Sequence, residues 1–133
     1  MKLKDYLEST DGISILSTAD SDGKLTTAIY SKPRSMENNT IAFIMRERLT
    51  YHNIRNNPHA AYMFIENSPG YQGIRLFLTK IREDDDPEII ARMTRRNLTP
   101  DEDKAKGPKH LVVFRVDMIL PLIGAGQSIV TVA

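Results

Sequence analysis

Thr40-Ile41-Ala42-Phe43-Ile44-Met45-Arg46 decides how this chain is read. The run is apolar on both faces until Arg46, and its β-branched and aromatic residues favour an extended strand. A strand apolar on both faces needs cover on both sides. Glu37-Asn38-Asn39 in front of it reads as a turn. Beyond Arg46, Thr50 to Asn57 reads as a helix stopped by Pro58. His59-Ala60-Ala61-Tyr62-Met63-Phe64-Ile65-Glu66 follows as another strand.

Working towards the N-terminus, Leu25 to Lys32 is a strand that Pro33 ends. Leu25, Thr27, Ile29 and Ser31 share one of its faces, and Thr26, Ala28, Tyr30 and Lys32 the other. Asp20-Ser21-Asp22-Gly23 is a turn, preceded by the strand Ile13 to Ala19. Residues 2–9 form a short amphipathic helix with Leu3 and Leu7 on one face, stopped by Asp11-Gly12.

Towards the C-terminus, Asn67 to Gly70 is a loop and Gly73 to Arg82 a long strand. Pro87 to Arg96 is a helix, with Asp86 as N-cap, Pro87 at N1 and arginines at the negative end. Residues 97–109 are polar and loop-like. Leu111 to Leu120 is the last long strand, and Ser128 to Val132 adds a short extended piece. Six strands with few helices do not alternate as βαβ units. The expected fold is mainly β, a single domain over residues 1–133, antiparallel and closed or nearly closed into a barrel. Helices or a second subunit cover its outside.

Composition narrows the function classes. A chain of 133 residues holds one core. Its 41% hydrophobic and 26% charged residues exclude disorder as the main state. Eighteen basic against seventeen acidic residues leave +1, so no general field draws the chain to nucleic acid or to anionic membrane. With no cysteine, disulfides, thiolate catalysis and thiolate metal sites are excluded. No apolar run approaches the roughly 18–20 residues of a membrane span. The N-terminus lacks the apolar stretch of a signal peptide, and a cytoplasmic location is expected.

The segment richest in chemistry is Arg46-Glu47-Arg48-Leu49-Thr50-Tyr51-His52-Asn53. Thr50 as N-cap would leave first-turn N–H groups free, and such groups attract anions. Two arginines upstream suit phosphate oxygens. The segment therefore reads either as a phosphate-monoester site or as a capped helix with two solvated arginines. Ser31 and Lys32 are further polar candidates. His52, His59 and His110 show no metal-ligand spacing. Glu83-Asp84-Asp85-Asp86 lacks the glycine and distal glutamate of a calcium loop, so it reads as a solvated helix entrance, and no metal site is expected. Arg92, Arg95 and Arg96 are explained by their place at a helix C-terminus.

Thr27 to Lys32, Ile41 to Ile44, the arginine-rich turn and Asn53 to Phe64 together resemble the pyridoxamine 5′-phosphate oxidase-like family. Asn56-Asn57-Pro58 before an apolar strand is the most specific local match, and Gly73-Ile74-Arg75-Leu76 agrees. The resemblance covers roughly residues 10–120. It implies a six-stranded antiparallel split β-barrel of the FMN-binding type, a homodimer, and FMN in a groove at the dimer interface. Carried over, Ala28, Ile29, Tyr30, Ser31 and Lys32 line the ring and ribityl chain. Phe43, Ile44 and Met45 lie along the cofactor, and Arg46, Arg48, Leu49 and Thr50 surround its phosphate.

Two departures matter. The oxidase proper has a basic pair where this chain has Leu49-Thr50. The chain also lacks a counterpart of the C-terminal segment that grips pyridoxal phosphate. The resemblance therefore implies an FMN flavoprotein that reduces small electron acceptors from a small-molecule donor, not a vitamin B6 oxidase, and it names no catalytic residue. Three alternatives stand beside it. One is a haem-binding or haem-degrading relative, with His52 nearest the groove. Another is a non-catalytic flavin carrier. The last is a nucleic-acid module stacking bases on Tyr62 and Phe64 near Arg75.

Overall fold

The computed structural model describes residues 1–94 and 98–132. In chain order it comprises α1 (Leu3–Ser9), β1 (Gly12–Ala19), β2 (Leu25–Tyr30), β3 (Arg34–Met36), β4 (Thr40–Arg46), α2 (Leu49–Asn56), β5 (His59–Glu66), β6 (Gly73–Asp84), α3 (Pro87–Met93), α4 (Pro100–Ala105) and β7 (Lys109–Pro121). All pairings of these strands are antiparallel, in one sheet of order β2-β1-β5-β6-β7-β4-β3.

The sheet has seven strands rather than six, and its hydrogen-bond ladder does not close. The added strand is β3, which pairs only with β4, placing Arg34 opposite Ala42. β2 and β3 are the two edges, although only residues 31–33 separate them in the chain. Pro33 has no N–H to give a ladder and ends β2's side of the split.

The strands curl around one core. Leu16, Phe43, Met45, Tyr62, Phe64, Leu76 and Phe114 meet inside it, and α1 and α2 close it with Leu3, Leu7, Tyr51 and Ile54. Phe43 contacts Tyr62 and Phe114 edge-on, with centroids 5.6 and 5.7 Å apart. β4 is covered on both sides, as its composition requires. Ile41, Phe43 and Met45 face the main core. Ala42 lies in a second cluster with Ile90 of α3 and with Leu111 and Val113 of β7. Two irregularities in the β6–β7 register let these long strands bend around the core. Gly73, which opens β6, permits one close approach: a Cβ there would collide with the carbonyl oxygen of Phe64.

Several local expectations are corrected. Residues 97–109 contain α4, whose capping box joins Thr99 and Glu102. Asp86 does cap α3, accepting from the Glu88 N–H, but the helix ends at Met93. The expectation for Arg95 and Arg96 lies outside the described residues. Arg48, not Thr50, occupies the N-cap of α2, and it makes no side-chain cap. The C-terminal extended piece pairs with the N-terminus, in a parallel bridge between Lys2 and Thr131. Among the described residues no helix is long and apolar enough to cross a membrane.

Candidate functional site

The open side of the sheet holds a cleft of about 430 Å³. Its walls come from both ends of the ladder: Thr26, Ala28 and Tyr30 of the edge β2, Arg34 of the edge β3, and Ala42 to Ile44 of the adjacent β4. The β4–α2 turn adds Arg48, Leu49 and Thr50, and residues 93–111 add Met93, Thr94, Leu98, Lys106, Lys109 and Leu111. The volume falls in the range of small-molecule pockets, about 300–1,000 Å³.

Eleven of the twelve residues named from the resemblance line this cleft: Ala28, Ile29, Tyr30, Ser31, Lys32, Phe43, Ile44, Arg46, Arg48, Leu49 and Thr50. Met45 does not; it is fully buried in the main core. Alternation explains this, because Met45 shares an inward face with Ile41 and Phe43.

Charge is the distinctive feature. Lys32, Arg34, Arg46, Arg48, Lys106 and Lys109 line the cleft, and no acidic side chain does so among the described residues. These cations are not equivalent. The Lys32 ammonium donates to the carbonyls of Leu7 and Thr10 at 2.6 and 2.7 Å, which ties down the end of α1. Arg46 donates to the carbonyls of Asp103 and Gly107 and pairs with the Asp103 carboxylate at 2.6 Å. Lys109 reaches the same carboxylate at 2.9 Å. The hydrogen bonds from Lys109 and Arg46 hold the Asp103 pKa below the ordinary carboxylate value. Arg46 therefore anchors α4 against β4, although the sequence reading assigned it to a phosphate. Arg48 has no carboxylate partner among the described residues. It stands at the start of α2, where the first N–H groups lack intrahelical acceptors.

Tyr30 links β2 to β4 across the open side. Its ring lies edge-on to Phe43 and its hydroxyl meets Thr50. Burial pushes the phenol pKa above 10, against the opposing effects of Thr50 and Arg48. Arg34, with Lys106 and Lys109, is a cleft cation that sequence reasoning missed. It follows a proline in a three-residue polar strand and belongs to no recognisable spacing. Its Nε is buried and has no hydrogen-bond partner among the described residues.

None of the three histidines lines the cleft. His52, the haem candidate, is exposed on α2. Tyr62 and Phe64 are core residues, 1% and 0% exposed, so they offer no stacking surface for bases. Arg75 donates to the carbonyls of Pro121 and Gly124.

The acidic run is only partly a solvated helix entrance. His110 sits between Asp85, at 2.7 Å from Nδ1, and Glu47, at 3.1 Å from Nε2, and it stacks on Tyr51 at 4.5 Å. Burial opposes charge on His110, but the two carboxylates outweigh it and raise its pKa. Glu83 accepts from Tyr51 and Lys80. Burial works against its charge too, yet these partners hold its pKa low, while Tyr51, buried and bonded to Glu83, is pushed up to about 12. Glu83, Asp85 and His110 bring ligand-type atoms within 4.8 Å of one another. Lys80, 2.8 Å from Glu83, and Arg55 nearby already balance that carboxylate, so the cluster is built as an ion-pair network.

No family model matches the sequence, and no curated protein matches it. Solved structures do. An FMN-binding protein from Syntrophomonas wolfei superposes with a TM-score of 0.74 at 22% identity, covering 94% of this chain and 86% of that one. A pyridoxamine 5′-phosphate oxidase-like protein from Lactobacillus delbrueckii gives 0.66 at 13% identity, covering 90% and 92%. HutZ, the haem storage protein of Vibrio cholerae, gives 0.61 at 15%, covering 91% and 95%. At these identities the likeness is one of fold.

Proposed function

We propose that this chain, which has the split-barrel fold of the pyridoxamine 5′-phosphate oxidase-like proteins, binds FMN in its open-sided cleft and acts as an oxidoreductase on small molecules. One observation carries the reading: among the described residues, six basic side chains and no acidic one line a single cleft, in a chain whose net charge is only +1. Such a cleft selects an anionic ligand. Its apolar walls, Ala28, Tyr30, Phe43 and Ile44, suit a flat aromatic body.

The residues divide the work. Arg48, the Thr50 hydroxyl and the first N–H groups of α2 hold the phosphate. Arg46 and Lys109 position the α4 segment that forms one wall. Tyr30 stays protonated at neutral pH and fixes β2 against Phe43 and Thr50. When bound, FMN supplies the electron-transfer chemistry, and these side chains set its access and electrostatic surroundings.

A homodimer is part of the proposal. The outward face of the sheet carries the row Thr27–Ser17–Ala61–Phe77–Met118 beside the row Ile29–Ile15–Met63–Arg75–Leu120. Leu25 and Ile29 are 77% and 79% exposed, and Phe77 and Met118 50% and 51%. An apolar patch of this kind marks an interface. Ile29 also lines the cleft, so a partner seated on this face would wall the cofactor.

The test is the visible spectrum of the purified protein, repeated after FMN addition and desalting. Retained flavin bands are expected, and addition of NADH or NADPH then asks whether the flavin is reduced. Flavin retained but never reduced would favour a carrier. A sharp haem band, or a colourless protein that retains nothing, would overturn the reading.

A further inference from the structure

Burying a charged donor with no acceptor costs several kcal/mol, and native structures avoid it unless a partner arrives from outside the chain. Arg34, a half-buried residue, is in that state at one of its three nitrogens. Its Nε is buried and unpartnered, and no carboxylate among the described residues pairs with its guanidinium. It lines the cleft, where no acid is available to it. The neighbouring cation, Lys32, is bonded to α1 carbonyls.

Register gives Arg34 its place along the cleft. It lies opposite Ala42, four positions before Arg46 on β4. At about 3.4 Å per residue that is about 14 Å along the strand, and Arg48 and Thr50 lie beyond Arg46. Arg34 and the β4–α2 turn therefore flank different ends of β4. We propose that Arg34 is a second ligand anchor, holding an electron-rich oxygen or nitrogen at the end of the ligand remote from its phosphate. The inference rests on the phosphate reading above. It specifies the ligand class further: a phosphate monoester whose opposite end presents a hydrogen-bond acceptor, as the pyrimidine edge of a flavin does.

The experiment titrates the full-length protein with FMN and with riboflavin, which lacks the phosphate, following flavin fluorescence. Wild type, Arg34→Met and Arg48→Met are compared, with thermal melts without ligand as the check on folding. Arg34→Met should weaken both ligands about ten- to a hundredfold, the size of a lost charged hydrogen bond. Arg48→Met should weaken FMN and leave riboflavin unchanged. If Arg34→Met does not fold, Arg34→Gln takes its place with the same expectation. Wild type that binds FMN, with an Arg34 variant that binds both ligands equally well, overturns the inference and leaves the flavin reading intact. Wild type that binds neither ligand overturns the flavin reading and the inference with it.

Discussion

The Tyr30 ring stands edge-on to Phe43, 5.8 Å between centroids and at an interplanar angle of 84°. The two residues belong to β2 and β4, which exchange no ladder hydrogen bonds, so a side-chain contact spans the open side of the sheet. Edge-on pairs contribute about 0.5–1.5 kcal/mol beyond area burial. Tyr30→Phe keeps the ring and removes only the hydroxyl, and should lower the unfolding free energy by no more than about 1 kcal/mol. Tyr30→Ala should lower it by about 3 kcal/mol and weaken flavin binding as well. Urea unfolding measures both, and equal stability of the two variants would remove Tyr30 from its bridging role.

The two arginines of the β4–α2 turn should separate cleanly. Arg46→Ala should accelerate hydrogen exchange in α4 and lower the melting temperature, because Asp103 and Gly107 lose their donor. Arg48→Ala should change stability by no more than about 0.5 kcal/mol, as expected of an exposed side chain. It should weaken FMN binding about tenfold or more. The opposite pattern would mean that the phosphate sits elsewhere.

Stability should depend on pH through His110. Its folded pKa is raised above the ordinary 6.5 by Asp85 and Glu47. Its contribution is therefore complete below 6.5 and disappears as pH rises through the raised folded value. Chemical unfolding at a series of pH values above 6 should show stability falling with pH. The fall should vanish in His110→Gln, and a slope that survives in this variant would assign it to another group.

Phe77→Glu or Ile29→Glu should leave the protein monomeric if it forms the proposed dimer, because each places a charge on the apolar outer face. Light scattering after gel filtration reads the mass directly. Phe77 does not line the cleft, so loss of FMN in Phe77→Glu would report the partner's share of the site. A wild-type protein that is monomeric with FMN bound would sink the dimer.

Much of the fold was legible because its signals are local. The apolar run Thr40–Arg46, the break at Pro58 and the Asp86-Pro87 start each determine structure within a few residues. α4 was read as loop: its capping signal Thr99-Pro100-Asp101-Glu102 is present, but its polar surface hides it when hydrophobic periodicity is the guide. β3 was not. Arg34-Ser35-Met36 is a strand only because β4 offers an unpaired edge. The separate roles of Arg46 and Arg48 depend on Asp103 and Gly107, which lie far along the chain. Arg34 acquires its meaning only once the backbone has buried its Nε.

The pairing of β4 also governs how the chain must be assembled. Thr40 hydrogen-bonds alongside Arg115, and β4 finds no other long neighbour than β7. On a ribosome, a strand apolar on both faces therefore emerges long before the strand that will accept it. Loop closure of that length is slow compared with the local β1–β2 hairpin. Until β7 arrives, β4 lacks its long ladder partner, and such an apolar strand is expected to be aggregation-prone. Mutations that weaken β7 should therefore reduce the yield of folded protein more than they reduce the stability of molecules that have already folded.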